Sequence, residues 1–306
     1  MEKKKKDRFI TIILVLILLA GLSLLLYPVL SDYWNRFHQT RAIVSYDEEV
    51  SDLNEKEYRA MWEAAREYND RLAQKGARFA LPEEEKQEYE GLLDVSGHGI
   101  MGYIEIPVIN CTLPIYHGTA DSVLQIAAGH LEWSSLPVGG EGSHCVLSGH
   151  RGLPSAKLFT NLDQLVEGDI FLLKVLNETL TYEVDQILIV EPEETQALEP
   201  VPGEDYCTLV TCTPYGINTH RLLIRGRRIE NKEEVQTVHV ISDAVRIEPL
   251  LVTPVVALPL LLILLVLVFV KDSAKKTGGG EKNAKKHAGN DAKNDTKDVA
   301  KNDSGN

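Results

Sequence analysis

The stretch Thr208-Leu-Val-Thr-Cys212-Thr-Pro-Tyr-Gly-Ile-Asn-Thr-His-Arg221 decides the fold of this chain. It predicts a β-branched strand that ends at a cysteine, a turn rich in Pro, Gly and Asn, and a returning strand that begins near an arginine. Alternate side chains of a strand share a face, so Cys212 points the same way as Thr208 and Val210. The hairpin can therefore place the Arg221 guanidinium beside the Cys212 thiol.

A histidine supplies the third member of the candidate site. Residues 145–148 predict a strand that ends in Gly149-His150-Arg151-Gly152, which leaves His150 at a sheet edge between glycines. A nucleophilic cysteine needs such a group to exchange protons, and a fixed cation favours the thiolate and stabilises an oxyanion. Cys212, His150 and Arg221 are the candidate catalytic residues. The alternative is an ordinary hairpin with a half-buried cysteine and a solvated arginine.

These segments resemble the sortases, and specifically the class C, pilus-assembling sortases of Gram-positive bacteria. The run from Thr208 to Cys212, followed by Arg221, matches the family's TLxTC…R signature, and Leu147-Ser-Gly-His150-Arg-Gly matches its histidine segment. The resemblance covers roughly residues 90–230, with further matching segments at 102–107, 113–118, 129–132 and 135–140.

The resemblance implies both a fold and a reaction. The fold is mainly β: a closed eight-stranded sortase-type barrel with short helices, an N-terminal helical extension and a transmembrane helix on either side. Cys212 would attack a Thr–Gly-type bond of an LPxTG-like sorting signal to form a thioacyl enzyme. His150 would act as acid and then as base, and Arg221 would hold the substrate or the oxyanion. The acceptor would be the lysine amine of a pilin, and no cofactor or metal is implied.

Two other functions stay open. A sortase of another class would join surface proteins to amines of a peptidoglycan precursor, although the second apolar run and the long extension favour class C. A non-enzymatic surface module would use the barrel only to bind a partner. Class C sortases usually carry a lid with an Asp-Pro-aromatic motif, and this chain contains no Asp-Pro. The extension is therefore interpreted mainly as a helical support, with a lid as the alternative.

Two uncharged runs, the 22 residues 9–30 and the 21 residues 250–270, are each long enough to cross a bilayer. The first is interpreted as a retained anchor rather than a signal peptide, because it exceeds a signal core and no small-x-small cleavage site follows it. Lysines outside both runs place the two termini in the cytoplasm and the middle of the chain outside the cell. The predicted order is cytoplasmic N-terminus 1–8, span 9–30, extracellular extension 31–98, catalytic barrel 99–230, linker 231–249, span 250–270 and disordered cytoplasmic tail 271–306.

The net charge differs between the predicted cytoplasmic ends and the predicted external part. The chain has a net charge of −13, each cytoplasmic end carries +3, and the external part therefore carries about −19. A nucleic acid partner is excluded because phosphate binding needs a basic footprint, whereas a cationic target such as a lysine-bearing protein is compatible. The sequence also lacks the ligand spacing of zinc or calcium sites and a glycine-rich phosphate loop.

Within the external part, a helical pattern gives way to strands near residue 99. Apolar spacing predicts one helix through residues 47–72 and a short second helix at 83–93. The pattern then predicts seven strands and two short helices, and many short strands are typical of a barrel or a sandwich. The predicted strands are 101–106, 112–116, 145–148, 169–175, 180–190, 206–211 and 221–229, and the predicted helices are 122–128 and 156–165.

The other cysteines are assigned structural roles. Cys207 has the opposite strand parity to Cys212, so it should face away from the site, and it lies too far along one strand to form a disulfide with it. Cys111 and Cys145 are interpreted as small apolar strand residues. A Cys111–Cys145 disulfide is the alternative, because paired cysteines outside the cell usually become oxidised.

Three other histidines lie in or near the matching segments. His220 neighbours Arg221 but has the opposite strand parity, so it is expected to lie off the site. His117 and His130 are expected to serve packing or hydrogen bonding rather than contact with a substrate.

Overall fold

The computed structural model describes residues 2–75 and 80–231, with side chains from residue 9. Three helices come first: α1 (Glu2–Ser51), α2 (Glu55–Lys75) and α3 (Glu83–Gly91). Eight strands follow, with a short helix α4 (Asp121–Leu124) between the second and the third. The strands are β1 (Ile100–Ile106), β2 (Cys111–His117), β3 (Ala128–His130), β4 (Ser143–Ser148), β5 (Ile170–Val175), β6 (Glu178–Val190), β7 (Asp205–Thr213) and β8 (His220–Ile229).

The eight strands form one closed barrel in the order β1-β2-β3-β4-β7-β8-β6-β5, which confirms the predicted eight-stranded barrel. The pairs β2–β3 and β4–β7 are parallel, and the remaining pairs are antiparallel. Closure leaves no unpaired sheet edge. The barrel interior is filled by large buried side chains, among them Ile104, Phe171, Leu173, Tyr182 and Leu209.

The sequence missed the third strand. Residues 122–128 were predicted as a helix, but α4 ends at Leu124 and Ala128 already pairs with Ile115 of β2. A strand of three residues is too short to show a period of two. Gly129 at its centre lies so close to the Gly118 carbonyl oxygen that any Cβ would collide with it.

The predicted helix at 156–165 is also wrong. The structure has a loop there that contains one 3-10 turn, Leu162–Gln164. Ala156, Phe159, Leu162 and Leu165 are nevertheless all buried. Their helical spacing therefore reflects a loop packed against the core, since a run of three- and four-residue steps can also arise from irregular backbone.

The helix predicted at 47–72 is interrupted. The chain leaves α1 after Ser51 and enters α2 at Glu55 because Asn54 caps the new helix. Its Oδ1 accepts from the amides of Lys56 and Glu57, both at 3.0 Å, and Glu57 Oε2 accepts from the Asn54 amide at 3.1 Å. This reciprocal arrangement is a capping box, which is a recognisable start signal in Asn-Glu-Lys-Glu.

The helical extension packs on the barrel through buried polar contacts. Asn69 of α2 accepts from the Leu136 amide at 2.7 Å and donates to the Leu136 carbonyl at 3.0 Å. The Tyr89 hydroxyl of α3 accepts from the Gly118 amide and contacts His130 Nδ1, each at 2.9 Å. These contacts support the interpretation of the extension as a helical support.

Among the residues that the structure describes, α1 is the one helix long and apolar enough to cross a membrane, with a mean hydropathy of 3.1 over its most apolar 18 residues. This agrees with the first predicted span. The second predicted span (250–270), most of the predicted linker and the predicted tail lie outside the described residues.

His144 of β4 joins two strands to the loop between β6 and β7. Its Nδ1 donates to the Glu199 carbonyl at 3.0 Å, and its Nε2 accepts from the Thr208 hydroxyl at 2.7 Å. Burial lowers the pKa of His144 to about 4. The neutral ring satisfies both contacts, whereas protonation would place a charge in a buried site.

Acid should weaken the fold through His144. An unfolded histidine binds its proton near pH 6.5, whereas this one stays neutral until about pH 4, so stability present at neutral pH is lost as pH falls through that window. We expect His144 to contribute up to about 3 kcal/mol to this loss. Urea unfolding of the wild type and of His144→Asn between pH 7 and 4.5 measures it. Equal pH slopes in both proteins would contradict this role.

Candidate active site

Cys212 and Arg221 lie directly opposite each other in the antiparallel pair of β7 and β8. Directly opposed residues of such a pair share a face, with Cβ atoms about 4.5–5.5 Å apart. Both side chains are partly exposed. The register thus brings together the two residues that the strand alternation placed side by side. The Arg221 Nη1 donates to the His220 carbonyl at 3.2 Å and to the Asn218 carbonyl at 3.4 Å.

His150 lies beside the Cys212 end of β7 because it follows β4, which pairs with β7. The parallel register of β4 and β7 ends at Ser148 opposite Val210, and the Gly149 amide donates to the Val210 carbonyl at 3.1 Å. The next residue, His150, therefore stands beside the end of β7 that carries Cys212. The three candidate residues lie at adjoining ends of β4, β7 and β8, while their catalytic roles remain predictions.

Gly149 lacks a Cβ, which leaves room for the ring of Phe159. A Cβ on Gly149 would lie 2.6 Å from the ring of Phe159, which is fully buried. The Phe159 amide donates to the His150 carbonyl at 3.1 Å. The loop after His150 therefore folds back and packs directly against the glycine that precedes it.

Arg151 is a site residue that the sequence reasoning did not select. Its side chain is only 9% exposed, and its Nη2 forms an ion pair with Asp163 at 2.6 Å. Its Nη1 donates to the Thr213 hydroxyl at 3.2 Å. Arg151 therefore ties the segment after β4 to the residue that follows Cys212. The sequence signal that could have selected Arg151 is its position directly after His150.

A buried apolar cluster lies on the outer face of the barrel, along the strand that carries the thiol. Val210 shares a face with Cys212, and it packs with Val146, Leu198 and Leu223. The loop from β6 to β7 covers this cluster with a 3-10 turn at Gln196–Leu198 and borders a cavity of about 580 Å³ that is open to solvent. The cavity lies beside Val190, which is the β6 partner of Arg221.

The other histidines make hydrogen bonds away from Cys212. His220 lies opposite Thr213, and its Nε2 is 3.1 Å from a carboxylate oxygen of Glu191. Both ring nitrogens of His117 face backbone carbonyls, and burial lowers its pKa. His130 is fully buried. These positions agree with the structural roles that the sequence gave them.

All four cysteines are free, so the alternative Cys111–Cys145 disulfide is not present. The register sets Cys145 of β4 against Cys207 of β7 inside the barrel. The Cys111 thiol instead donates to the Leu158 carbonyl at 3.6 Å, and burial raises its pKa to about 12. Cys207 faces the core, as its parity predicted.

Comparison with known proteins identifies this architecture. A model of the sortase domain matches residues 104–229. Sortase C1 of Streptococcus agalactiae is 50% identical, with a TM-score of 0.62 and coverage of 63% of this chain and 100% of that chain. Sortase C of Streptococcus pneumoniae, whose structure was described as informing catalysis and pilin substrate specificity, is 43% identical, with a TM-score of 0.57 and coverage of 64% and 100%.

A curated relative, sortase D of Bacillus subtilis, is 33% identical over 131 residues, which are 42% of this chain and 63% of that protein. The chain thus spans less than two thirds of the length of this relative. The closed barrel and the high identity to solved sortase C structures define the class of protein. The chain belongs to the sortase family, as a class C sortase.

Gly149→Ala should damage the site without touching a reacting group. The added methyl would push against the Phe159 ring, and overpacking of this kind typically costs about 1–3 kcal/mol. Displacement of His150 should lower kcat for a sorting-signal peptide more than it raises KM. Gly91→Ala is the control: it lies at the end of α3, its backbone does not have a positive φ, and no atom would lie within 4 Å of the Cβ. Unchanged kcat in Gly149→Ala would show that the loop accommodates the methyl.

Proposed function

We propose that this sortase is a membrane-anchored cysteine transpeptidase that cleaves an LPxTG-like sorting signal and joins it to a pilin lysine. The observation that carries the proposal is the register that sets Cys212 against Arg221, with His150 at the adjoining strand end. A thiol, an imidazole and a guanidinium in this arrangement provide a nucleophile, a proton carrier and an oxyanion ligand.

The reaction takes two steps on the thiol. Cys212 Sγ attacks the carbonyl carbon of the Thr–Gly bond, and the negative charge that develops on the oxygen lies within reach of Arg221. His150 donates a proton to the departing amine as the C–N bond breaks, which leaves a thioester on Cys212. An acceptor amine then attacks the thioester, His150 takes its proton, and the thiolate leaves.

The surroundings of the thiol fit the proposed donor. Val190, the β6 partner of Arg221, and Ala197 are partly exposed apolar residues at the open cavity, and they suit the leucine and proline of an LPxTG-like segment. The loop between β6 and β7, which carries Ala197, forms one side of this cavity. Burial of such side chains contributes binding energy in proportion to the apolar area removed from water.

Two further observations support the proposal that a pilin lysine is the acceptor. The external part carries about −19, which favours approach of a lysine-bearing surface. The sortase C of Streptococcus pneumoniae was described in terms of pilin substrate specificity. A peptidoglycan precursor amine is the alternative acceptor.

The membrane anchor is proposed from α1. Its apolar run ends at Leu30, and the exposed Tyr33 and Trp34 follow at once, 72% and 63% accessible. Tyrosine and tryptophan are enriched at membrane–water interfaces, and the basic residues 3–6 favour a cytoplasmic N-terminus. We propose a second span at 250–270, so that both termini are cytoplasmic and the barrel lies outside the cell.

Cys212 should carry the acyl group. The full chain in detergent, incubated with an LPxTG peptide, should gain the mass of the peptide acyl fragment, and Cys212→Ala should not. Cys111→Ala is the matched control, because this second partly exposed cysteine lies on β2. Persistence of the adduct in Cys212→Ala would assign the nucleophile elsewhere.

The joined product identifies the acceptor. Mass spectrometry should find an isopeptide to a pilin lysine, whereas a stem-peptide amine would favour the alternative class of sortase. Binding of the peptide without any acyl enzyme would favour the surface module.

Arg221→Ala should lower kcat by roughly 10²–10³, the usual cost of one oxyanion ligand. Arg225→Ala is the matched control, because Arg225 lies on the same face of β8 but is held by two hydrogen bonds to Asp185, at 2.9 and 2.8 Å. Single-turnover acylation rates separate the two variants. An equal fall in both would indicate damage to β8 rather than loss of an oxyanion ligand.

A further inference from the structure

The loop that begins at His150 is tied to the N-terminal helix as well as to the barrel. The Lys157 amide donates to Asp32 Oδ1 at 2.9 Å, and Asn35 Nδ2 donates to the Ser155 carbonyl at 2.8 Å. Asp32 and Asn35 lie three residues apart and therefore on one face of α1. Two side chains of this helix thus hold the tip of the loop, residues 155–157.

Asp32 is fixed in place for this contact. Its second carboxylate oxygen forms an ion pair with Arg36 Nη2 at 2.9 Å, one turn along the helix. The Asp32 side chain is only 19% exposed. The carboxylate therefore offers a preset acceptor to the Lys157 amide, and the ion pair orients it.

The contact at the tip can be transmitted to His150 because the base of the loop is closed. The His150 carbonyl accepts from the Phe159 amide, and the Gly152 amide donates to the Thr160 hydroxyl, each at 3.1 Å. Between them Ala156 and Phe159 are buried. Residues 150–160 thus form one closed unit, with His150 at one end and the α1 contacts at the other.

We propose that Asp32 and Asn35 are positioning residues for His150, an inference that rests on the proposed transpeptidase function. A proton carrier must lie within about 2.6–3.2 Å of the group it serves in both half-reactions. Small displacements of catalytic groups are costly, about 10²-fold for 1 Å. The N-terminal helix therefore contributes to the rate of the reaction and not only to anchoring.

The helix offers a matched control. Gln39 lies on the same side of α1, and its Nε2 donates to the Ile126 carbonyl at 2.8 Å. Ile126 follows α4 and lies outside the His150 loop. Gln39→Ala therefore removes one contact between α1 and the barrel and leaves both contacts to the loop intact.

The test uses steady-state kinetics of the full chain in detergent with an LPxTG peptide and an amine acceptor. We expect Asp32→Ala with Asn35→Ala to lower kcat roughly tenfold at unchanged KM. Asp32→Asn keeps an acceptor oxygen for the Lys157 amide and should retain kcat within about twofold, as should Gln39→Ala. A kcat within twofold of wild type in the double variant, or an equal fall in Gln39→Ala, would overturn the proposal.

Hydrogen exchange of the peptide 152–160 gives a readout independent of catalysis. The double variant should exchange faster than the wild type and Gln39→Ala, because the tip loses both side-chain contacts. Unchanged exchange would overturn the proposal. If the wild type has no activity on any sorting peptide, the proposed function fails, and exchange alone then decides whether α1 holds the loop.

Discussion

The register of β7 with its two neighbours is the constraint on which the site depends. Its parallel pairing with β4 sets the level of His150, and its antiparallel pairing with β8 sets Arg221 opposite Cys212. A slip of one residue would turn Cys212 into the core and Cys207 outward, because side chains alternate. Burial of Cys207 and Leu209 inside the barrel therefore also fixes the outward direction of the thiol. The orientation of the site follows from the packing of the core.

Polar contacts hold both ends of β7. At its start, Asp205 accepts from the Gly140 amide at 2.9 Å and from the Tyr182 hydroxyl at 3.1 Å, and burial raises its pKa. At its end, Arg151 donates to the Thr213 hydroxyl. Such buried groups are costly to leave unpaired, so the strand resists sliding along its own axis. The thiol is thus presented by a strand fixed at both termini.

Alternation and turn residues are local signals, and they predicted seven of the strands and the placement of Cys212 opposite Arg221. The strand pattern left a barrel or a sandwich open, and only the resemblance to sortases implied the closed barrel. The strand pattern missed β3, whose three residues show no periodicity, and the buried spacing of Phe159 and Leu162 was taken for a helix. Contacts between segments that are far apart in the sequence produce no local sequence pattern, so they were not predicted. The tie between Asp32 and the His150 loop joins residues 125 positions apart, so it depends on how α1 packs and not on any nearby pattern.

The way the extension is attached bears on whether it can act as a lid. Detaching α3 would leave His130 Nδ1 and the Gly118 amide without the Tyr89 hydroxyl, and His130 is fully buried. Each buried group left without a partner costs about 1–3 kcal/mol, and the apolar part of the Tyr89 ring would add its own loss. Detaching α2 would add the two Leu136 backbone groups now paired with Asn69. Helices bound at such cost form a fixed wall of the catalytic unit, so opening the site by lifting them is disfavoured.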